Sequence, residues 1–541
     1  MFLHSTKNMT DKIIKVKPFC GCIKYIASFY FEFLASLRFV TGAAGLIAFL
    51  VIYARWNYGA LEKLGIPVVT PHFLLGSNYN GHKVVHAHED LKRFHKYGAV
   101  YGVYDGRVPR IYVADPEMIR RIMVKDFDHF HDRTVPNWGH EILDNLLDFL
   151  PGEKWKTLRS GLTPMFTSSR IRSGFKNFSG TTDKYIKELR KDFKSPSIKF
   201  EIKEFASPGL VEFISEHFLS IKIADEGNIR ENYIYKMVLE AINDDMGPSF
   251  AFVLLSAFPF LLKFLPLFST AGIQKFLNTL DEVIKIRKAN KVDTTNGKDF
   301  IDVMITMLEN LDSPEYKRLG IDKITIRAQA FEMFIAGYDS ILGTLSILSY
   351  SLAMNPTIQN KVLAEIDGNL DKIKDGTADL PYLTACIKEA IRLSPSFISP
   401  ERLCMKEWSY KERGINITIP KGMNVTIPAY ATNRNPEIFK DPEEFRPERY
   451  YKGTDGKLVS ELEQNPMAQY SMNSFGHGPH NCPGGRLAME LVKAVMARML
   501  QEFTFEKRAD TVLEIQEGIP FIIRYKPIYV NLVKRELAGE E

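Results

Sequence analysis

Phe475-Gly-His-Gly-Pro-His-Asn-Cys482-Pro-Gly484 is the most informative stretch of the chain, since it reads as a glycine-rich loop around one cysteine. Glycine allows the sharp backbone turns that a tight loop needs. Backbone N–H groups in such a loop are free to face the sulfur, and these hydrogen bonds favour the thiolate, the form that ligates iron. The alternative is a small buried cysteine in a turn, which the glycine spacing disfavours. We therefore predict an iron-binding cysteine.

The stretch closely resembles the haem-binding signature of the cytochrome P450 superfamily. That signature reads Phe, two residues, Gly, one residue, Arg, one residue, Cys, one residue, Gly, and only the arginine differs, being His480 here. The resemblance implies haem b, iron protoporphyrin IX, with Cys482 as the axial iron ligand and with Phe475 and His480 among the haem-binding residues. Pro483 removes one N–H donor near the sulfur.

The length of 541 residues would by itself suggest several domains. The resemblance implies instead one large, mainly α (α+β) domain with small β-sheets, preceded by an N-terminal membrane helix. The net charge of +5 is mild, and no basic tract with interleaved aromatic residues occurs, so we expect no nucleic-acid partner. Five irregularly spaced cysteines argue against a disulfide framework or a zinc site.

An uncharged apolar run extends from Phe39 to Ala54, between two arginines. As a helix this run spans roughly 24 Å, which is shorter than the hydrocarbon core of a bilayer. The flanking arginine side chains can reach the polar membrane surface and make up the difference. We predict a leader without an assigned role at 1–38, a membrane anchor at 39–56, a proline-containing linker at 57–78 and a catalytic domain at 79–541. The basic leader favours a cytosolic N-terminus. The family arrangement implies the opposite, a single-pass protein of the endoplasmic reticulum with a cytosolic catalytic domain.

Helical periodicity dominates the body of the chain. We predict a β-hairpin from Tyr101 to Val113, further strands at Ile415 to Ile419 and Asn424 to Pro428, and one long helix from Asp322 to Asn355. The segment Phe250 to Phe268 is nearly as apolar as the anchor, but two prolines and a lysine argue against a second span. It is either plain core or, as in the family, a membrane-facing substrate entrance.

An acid and an alcohol, Asp339 and Ser340, lie near the middle of the long helix, in an apolar sequence where a charge is costly unless it is paired or functional. In the family the matching pair delivers protons to the oxygen site, so the resemblance makes both residues catalytic. The usual threonine is a serine here, which keeps the hydroxyl but lacks the methyl group that fixes its rotamer. We therefore expect looser coupling of electron consumption to product. The alternative is a solvated Asp339 and a Ser340 bonded to its own helix.

Haem carries two propionates, which require cations at one edge. The resemblance assigns this role to Trp155, Arg159, Arg133 and Arg402. It also implies a buried structural network of three charged residues that supports the cysteine loop: Glu389, Arg392 and Arg449.

The resemblance extends to one animal microsomal group that includes drug-oxidising monooxygenases and thromboxane synthase. We predict a monooxygenase that inserts one oxygen atom from O2 into a medium to large apolar lipid, steroid or xenobiotic. Electrons would come from NADPH through the flavoprotein NADPH-cytochrome P450 reductase, with cytochrome b5 as a further candidate donor. The alternatives are an isomerase of lipid peroxides and a non-catalytic haem-binding sensor, and the retained Asp339 and Ser340 favour the monooxygenase.

Overall fold

The computed structural model describes most of the chain. The described residues are 37–134, 139–219, 221, 223, 229–243, 249–264, 271–290, 299–374, 378–451, 465–519 and 521–536. The predicted leader lies outside them apart from its last two positions. The chain forms two compact units, 1–58 and 59–541. In the first unit, helix α1 (Leu37–Arg55) is apolar, and Leu46, Ile47, Phe49 and Ile52 are exposed along it.

Helices dominate the second unit, as the resemblance implied. They are α2 His86–Tyr97, α3 Pro116–Arg120, α4 Gly152–Leu162, α5 Ser168–Asp192, α6 Ile202–Leu219, α7 Tyr233–Asn243, α8 Ser249–Ala257, α9 Ala271–Ala289, α10 Phe300–Glu309, α11 Pro314–Leu319, α12 Lys323–Met354, α13 Pro356–Asp367, α14 Leu370–Lys374, α15 Pro381–Leu393, α16 Ala429–Thr432, α17 Ala468–Ser471 and α18 Gly485–Glu502.

Within the described residues, the strands form three small sheets. They are β1 Val100–Asp105, β2 Val108–Val113, β3 Ser197–Phe200, β4 Glu401–Leu403, β5 Trp408–Glu412, β6 Ile415–Ile419, β7 Asn424–Thr426, β8 Phe503–Glu506 and β9 Val530–Lys534. The sheet orders are β1-β2-β7-β4, β3-β9-β8 and β5-β6. Strand β7 runs parallel to β2 and antiparallel to β4, and the other pairs are antiparallel.

The predicted hairpin is confirmed, because β1 pairs antiparallel with β2 in a register that joins Val100 to Val113. Strand β6 has the predicted bounds. Strand β7 is shorter than predicted and ends at Thr426. Pro428 has no N–H to continue the ladder, and it stands directly before α16.

Helix α12 confirms the long helix predicted from Asp322 to Asn355. The side chain of Asp322 accepts the N–H of Thr325 at 2.7 Å and caps the start, and Asn355 ends the helix before Pro356. Helix α12 packs on α6, α15 and α18. Among the described residues it is the one helix long and apolar enough to cross a membrane, but it is mostly buried, as a core helix is.

The apolar segment at 250–268 is not a continuous helix. Helix α8 ends at Ala257, and a short 3₁₀ helix follows at Pro259–Lys263. The side chains of Phe250, Phe260 and Phe264 are exposed, so this segment presents an apolar surface. Residues 265–268 lie outside the described part.

Candidate haem site

The cysteine loop lies between α17 and α18 and is closed by a backbone hydrogen bond from Cys482 N to Phe475 O at 2.8 Å. Gly476 and Gly478 have φ angles of 65° and 68°, the left-handed region that glycine adopts freely. A Cβ atom on Gly478 would lie 2.1 Å from the carbonyl oxygen of Met123. Gly478 is therefore required by both backbone conformation and space, and Gly476 is favoured by backbone conformation.

The sulfur of Cys482 is held among backbone donors. Cys482 is a free cysteine whose residue surface reaches solvent, and the backbone N–H groups of Gly484 and Gly485 donate to its sulfur. Burial of the sulfur raises the pKa of the thiol, while the two N–H groups and Arg159 lower it. The sulfur therefore has backbone donors even though Pro483 has no N–H. Burial is the largest effect and the pKa is raised overall, so a thiolate at this position depends on a positive centre beside it.

Three arginines predicted from separate parts of the sequence meet beside this loop. Arg402, which is 1% exposed, donates from Nη1 to the carbonyl of Glu401 at 2.7 Å, and its Nε has no partner among the described residues. Burial, followed by the charge of Arg133, lowers the pKa of Arg402 to about 9. A buried guanidinium with an unused donor is costly unless an anion lies against it.

Arg133 and Arg159 hold the loop itself. Arg133 pairs with Asp148 through Nη1, and its Nη2 donates to the carbonyl of His480 at 3.4 Å. Arg159 donates from Nη2 to the carbonyl of Asn481 at 2.8 Å. Burial lowers the pKa of Arg159. In the described part of the chain, Asp148 is the one carboxylate that forms an ion pair with any of these three arginines, and its partner is Arg133.

His480 takes the place of the signature arginine without supplying its charge. Its ring stacks on the indole of Trp155 with centroids 3.8 Å apart, and Nε2 donates to the carbonyl of His131 at 2.8 Å. Burial, with the nearby charges of Arg133 and Arg402, lowers the pKa of His480 to about 2. The residue is therefore a neutral hydrogen-bonding ring, and the stack with Trp155 was not foreseen.

This arrangement fits haem. The three guanidinium groups have one paired carboxylate among the described residues, and one of the three, Arg402, is buried with an unused Nε donor, so the cluster suits a ligand that carries negative charge. The sulfur of Cys482 lies within the electrostatic influence of Arg159. The cysteine sulfur and the cations thus lie in one region, which suits haem, since its iron would bind the sulfur and its propionates would pair with the cations.

The predicted acid-alcohol pair lies where α12 continues without a break through Gly337. The hydroxyl of Ser340 donates to the carbonyl of Ala336 at 2.6 Å. Asp339 is not simply solvated, because its Oδ2 accepts Nε and Nη2 of Arg524 at 3.1 and 2.6 Å. No hydrogen bond or ion pair between described residues links this pair directly to the arginine cluster.

Sequence reasoning missed Glu332, about two helical turns before Asp339 on α12. Its buried carboxylate accepts the backbone N–H groups of Leu147 and Asp148, the latter at 3.3 Å. Burial, with the charge of Asp148, raises the pKa of Glu332 to about 8. Asp148 in turn pairs with Arg133, so Glu332 connects α12 to the arginine cluster. An acid inside an apolar helical run was the signal available in the sequence.

The predicted structural network is present and fully buried. Glu389 accepts Nε and Nη2 of Arg392, each at 2.7 Å, and Nε of Arg449 at 3.1 Å. The side chains of all three are 0% exposed. Both arginines also donate to backbone carbonyls, those of Asn433 and Asp441 among them, so the charges are paired and hydrogen-bonded.

Comparisons with known proteins match the chain to one family. The family model described as Cytochrome P450 matches residues 64–532. Cytochrome P450 3A27 of Oncorhynchus mykiss is 29% identical over 507 residues, covering 91% of this chain and 93% of that protein. Cytochrome P450 3A29 of Sus scrofa is 28% identical over 507 residues, covering 91% and 95%. Cytochrome P450 3A5 of Homo sapiens is 28% identical over 509 residues, covering 91% and 96%.

Proposed function

The chain belongs to the cytochrome P450 family of haem-thiolate monooxygenases, and from this premise we propose that it inserts one oxygen atom from O2 into a medium to large apolar substrate, using electrons from NADPH delivered by a flavoprotein reductase. The observation that carries the proposal is the position of the Cys482 sulfur, with its two N–H donors, in the same region as a cluster of arginines. That combination suits a thiolate-ligated iron group with acidic side arms.

The residues present would hold haem as follows. Cys482 would ligate the iron, while Arg133, Arg159 and Arg402 would face the propionates. Haem, when bound, supplies the iron at which dioxygen is activated. His480 would contribute a neutral ring packed on Trp155, so the cations of the site come from the arginines alone.

Asp339 and Ser340 would move protons to the reacting oxygen. The Ser340 hydroxyl bonds to Ala336 O in this structure, and rotation about its χ1 angle releases it, since serine lacks the methyl group that restricts threonine. Asp339 is partly exposed and can exchange protons with solvent. The bond of Ser340 to its own helix is the arrangement of the structural alternative, whereas the exposure of Asp339 and the rotational freedom of the serine side chain support proton transfer with the looser coupling expected from the sequence.

The apolar surface around α8 supports a substrate that arrives from a lipid phase. Phe250, Phe260 and Phe264 are exposed within this short stretch of chain, and exposed aromatic side chains favour contact with a membrane or an apolar molecule. Together with the apolar helix α1, this supports the proposed single-pass location in the endoplasmic reticulum membrane, with the catalytic domain in the cytosol.

The proposed electron donor would dock on the thiolate side of the site. Lys156 on α4 is exposed and available to an acidic partner surface. Lys154 is less available, because its Nζ donates to the carbonyl of Gly320 at 2.9 Å. NADPH-cytochrome P450 reductase fits this role, and cytochrome b5 is a second candidate for the same surface.

The test is product analysis under isotopically heavy dioxygen, in membranes that contain the protein, the reductase and a panel of lipids and drugs. We expect one heavy oxygen atom per product molecule, dependent on NADPH and strongly reduced in Asp339→Asn. Rearrangement of a lipid peroxide without NADPH, with no heavy oxygen in any product, would contradict the monooxygenase and support the isomerase.

A further inference from the structure

Asp339 is held by a residue from a distant part of the chain. Arg524 lies 185 residues further on, and both its Nε and its Nη2 contact the same carboxylate oxygen, Oδ2, at 3.1 and 2.6 Å. The other oxygen, Oδ1, has no hydrogen-bond partner within the described part of the chain. The pair is partly accessible, with side-chain exposures of 28% for Arg524 and 38% for Asp339.

The backbone on both sides of Arg524 is fixed. Ile522 forms a β-bridge with Phe397, and Tyr525 forms another with Ile515. The carbonyl of Arg524 accepts the N–H of Gln516 at 2.8 Å. The guanidinium therefore extends from an anchored segment, so it can hold a side chain on α12 in one orientation.

A second cation, Lys203 at the start of α6, lies close enough to interact electrostatically with this ion pair. Its Nζ donates to the carbonyl of Tyr525 at 3.3 Å. Burial lowers the pKa of Lys203, the charges of Glu201 and Asp339 raise it, and Arg524 lowers it. The carboxylate of Asp339 thus lies near two cations, Arg524 and Lys203.

We propose that Arg524 is the positioning residue for proton delivery: it fixes Asp339 through Oδ2 and leaves Oδ1 to exchange the proton. This inference rests on the proposed function, since it concerns the acid of that same reaction. In each transfer, Oδ1 takes one proton from a hydronium ion in the water that reaches it, and that ion becomes water. Oδ1 then releases the proton toward the hydroxyl of Ser340, and the carboxylate is restored.

A purely structural role is the competing interpretation, because the pair also ties the C-terminal segment to α12. The two roles differ in what they change. Loss of a structural tie lowers stability and substrate affinity, whereas loss of positioning lowers the yield of product per NADPH and leaves KM unchanged. The test therefore needs both a stability measurement and a measurement of coupling.

The experiment compares Arg524→Gln, Arg524→Lys, Asp339→Asn and the double variant Arg524→Gln/Asp339→Asn in the full-length, haem-loaded protein with reductase. Lys526→Ala is the matched control, because Lys526 lies two residues further on and forms an exposed pair with Glu514 at 2.7 Å. Product formed and NADPH consumed are measured together for each variant.

We expect Arg524→Gln to lower product per NADPH about ten-fold with KM unchanged. The double variant should be no worse than Asp339→Asn alone, because both changes interrupt the same step. Arg524→Lys should recover part of the loss, and Lys526→Ala should match the wild type. Hydrogen peroxide can replace NADPH and O2 in the balanced reaction R–H + H2O2 → R–OH + H2O. In that reaction the peroxide itself supplies the protons, so none is taken up from solvent. Under that condition Arg524→Gln should equal the wild type.

Unfolding in denaturant supplies the readout that does not depend on activity. The midpoint shifts of Arg524→Gln and Asp339→Asn should be non-additive in the double variant, because the two side chains form one ion pair. Wild-type coupling in Arg524→Gln, multiplied losses in the double variant, or additive midpoint shifts would each overturn the inference. A wild-type protein that yields no oxygenated product with either oxidant would instead overturn the proposed function, and the inference with it.

Discussion

The imidazole of His480 lies stacked on the indole of Trp155, with ring centroids 3.8 Å apart and ring planes inclined by 29°. The stack places a neutral ring where the family signature has a charged arginine. Burial lowers the pKa of His480 to about 2, so the ring carries no charge at physiological pH. The positive charge at this edge of the site therefore belongs to the buried Arg402 and to Arg133 and Arg159.

The first prediction concerns His480→Arg. The new guanidinium would lie buried beside Arg133 and Arg402, so without haem it should lower the free energy of unfolding by about 3 kcal/mol. In the haem-loaded protein the propionates should pair with it, and the loss should be less than about 1 kcal/mol. Denaturant unfolding of both forms checks this, with His480→Gln as a neutral control. Equal losses in the two forms would contradict the assignment of propionates to this edge.

The second prediction concerns Arg402→Leu, which removes the buried guanidinium with the orphaned Nε. Loss of charge-assisted hydrogen bonds to a propionate should weaken haem binding by about 2 kcal/mol, a factor of about 30. The haem-free protein should be no less stable, because an unpaired buried charge is removed. Haem titration and denaturant unfolding check the two parts. Arg190→Leu, at an exposed pair with Glu502, is the control, and haem affinity equal to the wild type would refute the prediction.

The third prediction concerns the pH dependence that Glu332 imposes. Its pKa is raised from 4.5 to about 8 in the folded protein, so between these values the folded state binds a proton that the unfolded state has lost. The contribution of this bound proton to the free energy of unfolding is complete below about pH 4.5. It falls by about 1.4 kcal/mol per pH unit as the pH rises to about 8.

Glu332→Gln should remove this slope, and Glu153→Gln, at an exposed position on α4, should keep it. The groups that face Glu332 are Asp148, Arg133 and the N–H groups of the 147–148 backbone, and none of them is altered by the substitution. The measurement is the free energy of unfolding at a series of pH values. The same slope in Glu332→Gln and the wild type would rule out the raised pKa.

The fourth prediction concerns the network around Glu389. Glu389→Ala leaves Arg392 and Arg449 buried without a carboxylate and should lower the free energy of unfolding by about 3–5 kcal/mol. The exposed pair of Lys361 with Glu448 is the control, and Lys361→Ala should cost less than about 1 kcal/mol. Thermal and denaturant unfolding check both. Similar small losses in the two variants would contradict a structural role for Glu389.

Local patterns allowed several elements to be predicted from the sequence. The long helix that ends before Pro356 and the β1–β2 hairpin depend on residues close in sequence, and both were predicted. The cysteine loop was equally predictable, because its glycines are required by backbone geometry.

Long-range pairings could not be predicted in this way. The Asp339–Arg524 ion pair, the Glu332 contacts with 147–148 and the Trp155–His480 stack all join residues more than 180 positions apart. Nothing in the local sequence fixes which arginine reaches an acid on α12, since this depends on how the segments pack. The division into anchor, linker and catalytic domain stays a prediction.

The most direct test of the central claim is X-ray absorption at the iron of the purified, haem-loaded protein, compared with Cys482→Ser and with Cys404→Ser as a buried free-cysteine control. We expect one sulfur ligand at the iron in the wild type and in Cys404→Ser, and none in Cys482→Ser. Iron bound by nitrogen and oxygen alone in the wild type, or a sulfur ligand that persists in Cys482→Ser, would contradict the assignment of Cys482 as the iron ligand.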